Sequence, residues 1–314
     1  MIADPVLTLG WLVLAHLVAD FILQTRSMAR DKFLTGRRAW RGLAAHLVGV
    51  ALCLVPVPVA FGLPGLVFLI AVLAAHAVID RAKIVGTRHA EAVAIAHAHR
   101  VHETAPGPEG LGSAWTPVPA ALFVADQLAH LVVIGLAWAV WLSSAPLTAA
   151  WMSIAGAAVG GWDQAVVARS ALVSVVLLDL VIVNVRAAAM FVATLVHPRE
   201  VVTGHEPQVE AAASSGRAGS AEDVAHSESA IEPISHVPPP TRIGATIGVL
   251  ERLLIVAFVL SGAEAAIGLV VAAKTLARFK QLDDRQFAEY YLLGTLASVS
   301  VALGTGLLAA AALR

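Results

Sequence analysis

Four histidines and three aspartates in this chain are spaced as ligands rather than as surface residues. His16 and Asp20 stand four apart, as do His76 and Asp80. Asp126 and His130 repeat the spacing in reverse order, and His46 stands alone between the first two pairs. Each lies in an otherwise apolar stretch. On a helix, a separation of four puts two side chains on one face, one turn apart. Neutral imidazole and carboxylate are ligands for zinc, and for iron or manganese in mixed nitrogen–oxygen sites. Seven candidates exceed what one tetrahedral ion needs. Either two metals sit together, or some aspartates orient a ligating histidine. The reading is therefore a divalent metal, zinc first, with His16, His46, His76 and His130 as main ligands. Asp20, Asp80 and Asp126 serve as further ligands, or as the catalytic base. Gln24, Lys83 and Gln127 flank the set as candidate substrate contacts. Lys83 follows Asp80 by three, which lets it face the site mouth and meet an anionic group such as a phosphate.

The same residues admit plainer readings. A His–Asp pair inside a membrane can be a satisfied hydrogen bond that holds helices together. Buried Asp and His chains also line proton and ion pathways. Convergence of all seven at one depth favours metal over either alternative. His89, His97, His99 and His102 form a separate histidine tract whose spacing matches no closed metal site, and it reads as a solvated loop.

Composition dictates what positions these residues. The chain has 314 residues, of which 58% are hydrophobic and 14% charged. Soluble domains run nearer 45–50% apolar and about 25% charged. There is too little charge to cover a soluble surface, so lipid must cover much of it. A net charge of −1 argues neither for nor against nucleic acid, and no nucleic-acid partner is expected. The single cysteine, Cys53, excludes disulfides and thiolate clusters. The first apolar stretch has no basic segment before it and carries His16 and Asp20, so it reads as a retained helix rather than a signal peptide.

A spanning helix needs roughly 20 mostly apolar residues. Candidates fall at 6–24, 42–60, 63–83, 118–142, 170–196, 245–273 and 287–313, with a short glycine-rich stretch at 147–162. The expectation is an all-α polytopic bundle of about eight helices, or seven if 147–162 only dips into the bilayer. It divides into a four-helix membrane domain over 1–142, membrane helices over 143–196, a disordered linker over 197–240 and a two-helix hairpin over 241–314. The segment from Thr25 to Arg41 is rich in arginine and should be cytoplasmic. Lys274, Arg278, Lys280 and Arg285 form a second basic cluster that belongs on the same side. Satisfying both clusters with these spans requires 147–162 to cross, with both termini outside. Helices 1 and 3 then run inward and helix 4 outward. The reversed order of Asp126 and His130 therefore keeps every aspartate on the cytoplasmic side of its histidine.

The strings His16-Leu-Val-Ala-Asp20-Phe-Ile-Leu-Gln24, His46, His76-Ala-Val-Ile-Asp80-Arg-Ala-Lys83 and Asp126-Gln127-Leu-Ala-His130 resemble a bacterial membrane family catalogued as domain of unknown function 3307. The resemblance covers roughly residues 8–140. Later strings around Glu251-Arg252, Lys274 to Phe279 and Glu289 to Thr295 resemble a C-terminal extension in longer members. The resemblance implies a multipass protein of the bacterial inner membrane and no particular activity. Taken with the ligand set, the expected function is a metal-dependent hydrolase acting on a lipid or membrane-embedded substrate. The alternatives are a metal-ion or proton transporter and a structural subunit with a polar packing cluster.

Overall fold

The computed structural model describes residues 4–104, 116–196 and 240–314, and within them every regular element is helical. The expected linker at 197–240 lies almost wholly outside the described residues. Helix α1 (Pro5–Val18) is capped by Asp4, whose carboxylate accepts from the Leu7 N–H at 2.8 Å. A π-turn over Ala19–Leu23 carries it on to Gln24. A short helix α2 (Arg26–Lys32) follows, capped by Thr25. Next come α3 (Gly36–Leu54), a short α4 (Pro56–Phe61), α5 (Leu63–Thr104) and α6 (Val118–Ala137) with a π-turn to Leu142. Then follow α7 (Ala149–Val159), α8 (Gln164–Ile182), a π-turn over Val183–Ala187 and α9 (Ala188–Val196). The chain closes with α10 (Pro240–Leu260), α11 (Ala265–Ala277) and α12 (Arg285–Ala312).

Six stretches among the described residues are long and apolar enough to cross a membrane: Pro5–Leu23, Gly36–Phe61, Leu63–Ala94, Val118–Leu142, Gln164–Val196 and Phe287–Ala312. The apolar helices α7 and α11 are shorter. The protein is a multipass membrane protein by helix length and composition.

Side-chain contacts fix the helix directions. A Cβ on Gly10 would meet Val175, and Leu17 and Phe21 cluster with Ile182 and Ala187. Helix α1 and the α8–α9 rod therefore run parallel. Gly294 faces Val192 and Val196, while Thr305 meets Asn184, so α12 runs antiparallel to that rod. Arg252 reaches Ser298 and Val259 faces Gly306, so α10 and α12 are parallel.

Two span expectations are corrected by these directions. Helix α7, at 11 residues, does not cross. At about 1.5 Å per residue it covers about 17 Å of a roughly 30 Å hydrocarbon core. It rests against α4, with the Thr148 N–H donating to the Ala60 carbonyl and the Thr148 hydroxyl to the Val59 carbonyl. The expected single helix at 245–273 is in fact two, broken at Gly262, whose φ of +71° suits glycine and disfavours any side chain. Helix α11 turns back along α10 and brings Lys274 Nζ within 2.6 Å of Glu251. The two changes offset each other. Basic residues of α2, α3 and the α11–α12 turn still lie at one end of the bundle, which the positive-inside rule makes cytoplasmic. Val196 and Pro240, which bound the segment outside the described residues, lie at that end too.

A third correction concerns the segment after Lys83. It remains helical to Thr104 rather than becoming a loop. Five alanines between Ala90 and Ala98, with no Gly or Pro after Gly86, sustain helix once the apolar stretch has ended. His89 and His97 are exposed on this extension, and the side chains of His99 and His102 lie outside the described residues.

Candidate metal centre

The site is built where α1, α3, α5 and α6 meet. On the side away from the basic end they enclose a dry core that includes Leu12, Val50, Leu54, Phe68, Val72, Ile134 and Leu142. One or two turns further, each helix presents a polar residue to the same interior. His16, His46, His76, Asp80, Asp126 and His130 are all buried, and the Asp20 side chain is only 10% exposed. The rings of His16 and His130 stack at 4.9 Å between centroids, and His76 lies 4.1 Å from His130 and 5.0 Å from His46. All seven residues singled out by type and spacing converge.

The partners differ from the simple pairs that the spacing suggests. His16 Nδ1 does approach its own-helix Asp20, at 3.8 Å, and His130 Nδ1 lies 3.7 Å from Asp126 Oδ1. His76, however, faces Asp20 at 3.5 Å across the bundle, and Asp80 turns to Lys32 at 2.7 Å. Asp20 sits in the π-turn, where the extra backbone residue per turn departs from α-helical spacing. Such turns recur at functional sites.

Asp20 Oδ1 is the hub of one group of donors. It lies 3.4 Å from His46 Nε2, 3.5 Å from His76 Nε2 and 3.8 Å from His16 Nδ1. His46 Nε2 and His76 Nε2 are 2.8 Å apart, and Asp80 Oδ2 is 3.8 Å from His46 Nε2. Tetrahedral zinc with ligands at 2.0–2.1 Å has ligand–ligand edges of about 3.3–3.4 Å. The Asp20 contacts are close to those edges, whereas the 2.8 Å contact between His46 and His76 is a hydrogen bond that a bound ion would have to open. Asp20 Oδ1 is also buried without a hydrogen-bond partner.

Hydrogen-bond logic sharpens the role of His16. Lys83 Nζ and the Gln127 amide Nε2 both donate to Asp126 Oδ2, at 2.7 and 2.9 Å. An ionised carboxylate only accepts, so the Gln127 amide nitrogen faces Asp126 and its oxygen faces His16 Nε2, 3.3 Å away. His16 Nε2 is then the donor, and in the neutral ring the Nδ1 lone pair points at Asp20. Two lone pairs in apposition call for a cation between them, or for protonation of His16.

Asp80, Asp126 and His130 form a second group, with one ligand atom from each lying within 4.8 Å of the others. His130 Nδ1 donates to the Asp126 backbone carbonyl at 2.8 Å, which fixes the neutral tautomer and leaves the lone pair on Nε2. That Nε2 and Asp126 Oδ1 are both buried without a partner. The two groups share the neighbourhood of Asp80, a fit to two adjacent ions or to one ion with a flanking acid–base pair.

A cavity of about 410 Å³ opens beside the aspartates at the basic end. Asp20, Gln24, Lys32, Asp80, Lys83, Glu91 and Gln127 are on its polar side, and Phe21, Phe33, Phe123, Ile84 and Met190 make apolar walls. No histidine among the described residues lines it. Asp20 and Asp80 thus stand between the imidazoles and the cavity, whereas Asp126 does not line it and is reached through Lys83 and Gln127, which do. Gln24, Lys83 and Gln127 all reach it, as their proposed contact role requires.

Lys32 belongs to the site although its basic segment reads as a topological signal. Its ammonium donates to Asp80 Oδ2 at 2.7 Å and Gln24 Oε1 at 2.6 Å, and the residue is only 5% exposed. Helix α2 reaches this position because Gly42 lets it dock on α3. A Cβ at Gly42 would stand 2.8 Å from the Lys32 backbone nitrogen. Two negative sites thereby gain lysine partners, and Asp20 alone gains none among the described residues. The sequence signal for this was charge balance: three aspartates in apolar helices need more cations than Lys83 alone.

With that geometry in place, comparison with known proteins assigns a family to one part of the chain. Residues 8–157 belong to the DUF3307 family. DUF3307 is described as a protein of unknown function. The DUF3307 region contains all seven His and Asp residues, and α8 to α12 lie outside it. No curated protein and no solved structure matches the chain.

Proposed function

We propose that this protein is a metal-dependent hydrolase of the bacterial inner membrane, acting on a lipid or membrane-embedded substrate from the cytoplasmic leaflet. The observation that carries the reading is Asp20 Oδ1, buried without a hydrogen bond or lysine and ringed by three imidazole nitrogens at 3.4–3.8 Å. Burying an unpaired carboxylate in a membrane costs several kcal/mol, and a divalent ion removes that cost.

Asp20, His46 and His76, joined by His16, hold the first ion, with zinc the best match in ligand type. His130, Asp126 and Asp80 hold a second ion or act as the proton-handling side. A divalent ion held there would supply Lewis acidity and a water of lowered pKa. Asp126 has one oxygen held by Lys83 and Gln127 and the other unengaged, so it is oriented to accept a proton. Lys32 and Gln24 fix Asp80. The cavity, with polar residues on one side and aromatic walls on the other, suits an amphiphile.

The Lys32–Asp80 and Lys83–Asp126 pairs also suit a purely structural cluster, but such a cluster leaves Asp20 without a cation unless His16 is protonated. Transport is disfavoured by the apolar core outside the histidines, which offers no polar route among the described residues. Elemental analysis of the purified protein beside a His16→Ala, His76→Ala double variant tests the reading. About one or two equivalents of metal in the wild type, lost in the variant, are expected. A wild type that holds no metal and cannot be loaded with zinc refutes it.

A further inference from the structure

We propose that the cavity beside the metal centre binds the phosphate group of an anionic amphiphile, with Lys83 and Lys32 as its recognition residues. The inference deepens the hydrolase reading and rests on it for the identity of the neighbouring ion.

Charge balance is the first support. Asp20, Asp80 and Asp126 are buried with two lysines, and neutral histidines leave this cluster one negative charge in excess. With Glu91, which also lines the cavity, counted, a divalent ion at Asp20 balances the excess, and a second ion makes the enclosure positive. A substrate entering that enclosure is most favourable if it carries negative charge, because buried charges demand compensation.

Donor geometry is the second. An ammonium has three N–H donors. Lys83 Nζ gives one to Asp126 Oδ2, at 2.7 Å, and rests 5.1 Å from the centre of the Phe123 ring. Its side chain is 25% exposed and lines the cavity, so donors remain for a ligand. Lys32 Nζ gives two donors, to Asp80 and Gln24, and lines the same cavity from the opposite helix with one left. Phosphate oxygens are acceptors of both charge and hydrogen bonds.

The walls are the third. Phe21, Phe33 and Met190 flank the polar floor, and they exclude water from the part of a ligand that lies beyond its headgroup. Inorganic phosphate satisfies the lysines alone, whereas a lipid phosphate satisfies floor and walls together.

The test uses the full chain in detergent and measures binding of dioctanoyl phosphatidic acid, dioctanoylglycerol and inorganic phosphate. Lys83→Gln and Lys83→Arg are measured alongside, with metal content determined on every sample. The wild type should bind the phosphatidic acid at least tenfold tighter than either the neutral lipid or free phosphate. Lys83→Gln should lose most of that preference and Lys83→Arg should keep it, with metal content unchanged in both. Equal binding of the two lipids, or a preference untouched in a folded Lys83→Gln protein, overturns the inference. Free phosphate binding as tightly as the lipid overturns the amphiphile part and leaves a phosphate site. Metal without phosphate preference sinks this inference alone. Phosphate preference in a protein that cannot hold metal sinks the hydrolase reading and leaves the lysine site standing.

Discussion

Asp20→Asn replaces the hub carboxylate with an amide of nearly the same shape, so it changes charge and ligand quality while leaving packing intact. Asp20 Oδ1 lies within 3.8 Å of three imidazole nitrogens and has no lysine of its own. Loss of a residue that merely orients a ligand costs about 10–100-fold in metal affinity. Loss of a hub ligand should cost at least the upper end, about 100-fold or 2.7 kcal/mol. With metal held at about 100 times the wild-type dissociation constant, the metal-linked stabilisation falls from about 2.7 kcal/mol to about 0.4 kcal/mol in the variant. At roughly 2–4 °C per kcal/mol this lowers the unfolding midpoint by about 5–9 °C. The seven tryptophans provide a fluorescence readout in detergent. The sign should reverse in chelator, because the wild type then buries an uncompensated carboxylate and the amide does not. A variant that melts higher than wild type in both buffers, with equal metal content, refutes the ligand role and favours a structural cluster.

Three other predictions address how the site is held and how the chain is threaded. Gly42→Ala drives a methyl group to 2.8 Å from the Lys32 backbone nitrogen, so α2 must shift. A loss of about 1–3 kcal/mol is expected by overpacking, and thermal unfolding should show it together with weaker binding in the cavity. Glu251 and Lys274 should show a coupling of about 0.5–1 kcal/mol in a double-mutant cycle, as expected for a partly exposed ion pair. Zero coupling would restore the single straight helix, in which residues 23 apart stand about 34 Å from one another. Single-cysteine variants at Arg37, Gly161 and Ser214 in a Cys53→Ala background report sidedness. A membrane-impermeant maleimide should label positions 37 and 214 from one face of the membrane and position 161 from the other.

The site was legible in the sequence to a greater degree than the threading of the chain. Buried His and Asp residues in apolar helices announce themselves because their cost demands a reason, and their spacing by four marks one face. Which aspartate each histidine meets was not legible. The π-turn at Asp20 and the docking of α2 through Gly42 are backbone events, and both redirect contacts across the bundle. Lys32 was hidden for the same reason, since a basic segment beside a membrane helix has a topological explanation already. The helix count came close by compensation. Hydropathy alone joins 245–273 into one span, because Ser261-Gly262-Ala263 is too short and too small to lower a window average. It also grants 147–162 a crossing that its 11 helical residues do not supply. Each error alone would have placed one of the basic clusters on the wrong side.

The boundary of the DUF3307 region bears on how the site reaches its substrate. Every His and Asp ligand candidate lies within residues 8–157, yet the cavity is completed from outside them. Met190 and Thr194 of α9 line it, and Phe191 stacks on Phe123 at 6.4 Å between ring centroids. The α8–α9 rod can contribute this wall because it runs parallel to α1 and packs along it, with Ile182 and Ala187 against Leu17 and Phe21. Farther from the site, α10 and α12 brace the same rod through Arg252, whose guanidinium donates to the Asn184 carbonyl at 2.6 Å within the third π-turn. The ligand candidates therefore reside on one part of the chain, while the cavity wall is shared, with Phe21, Phe33 and Phe123 from that part and Met190 and Thr194 from α9. Metal content should depend on the first part alone, while the size and apolarity of what enters should depend on both. Under the hydrolase reading, changes in α9 act on substrate choice and leave the metal in place.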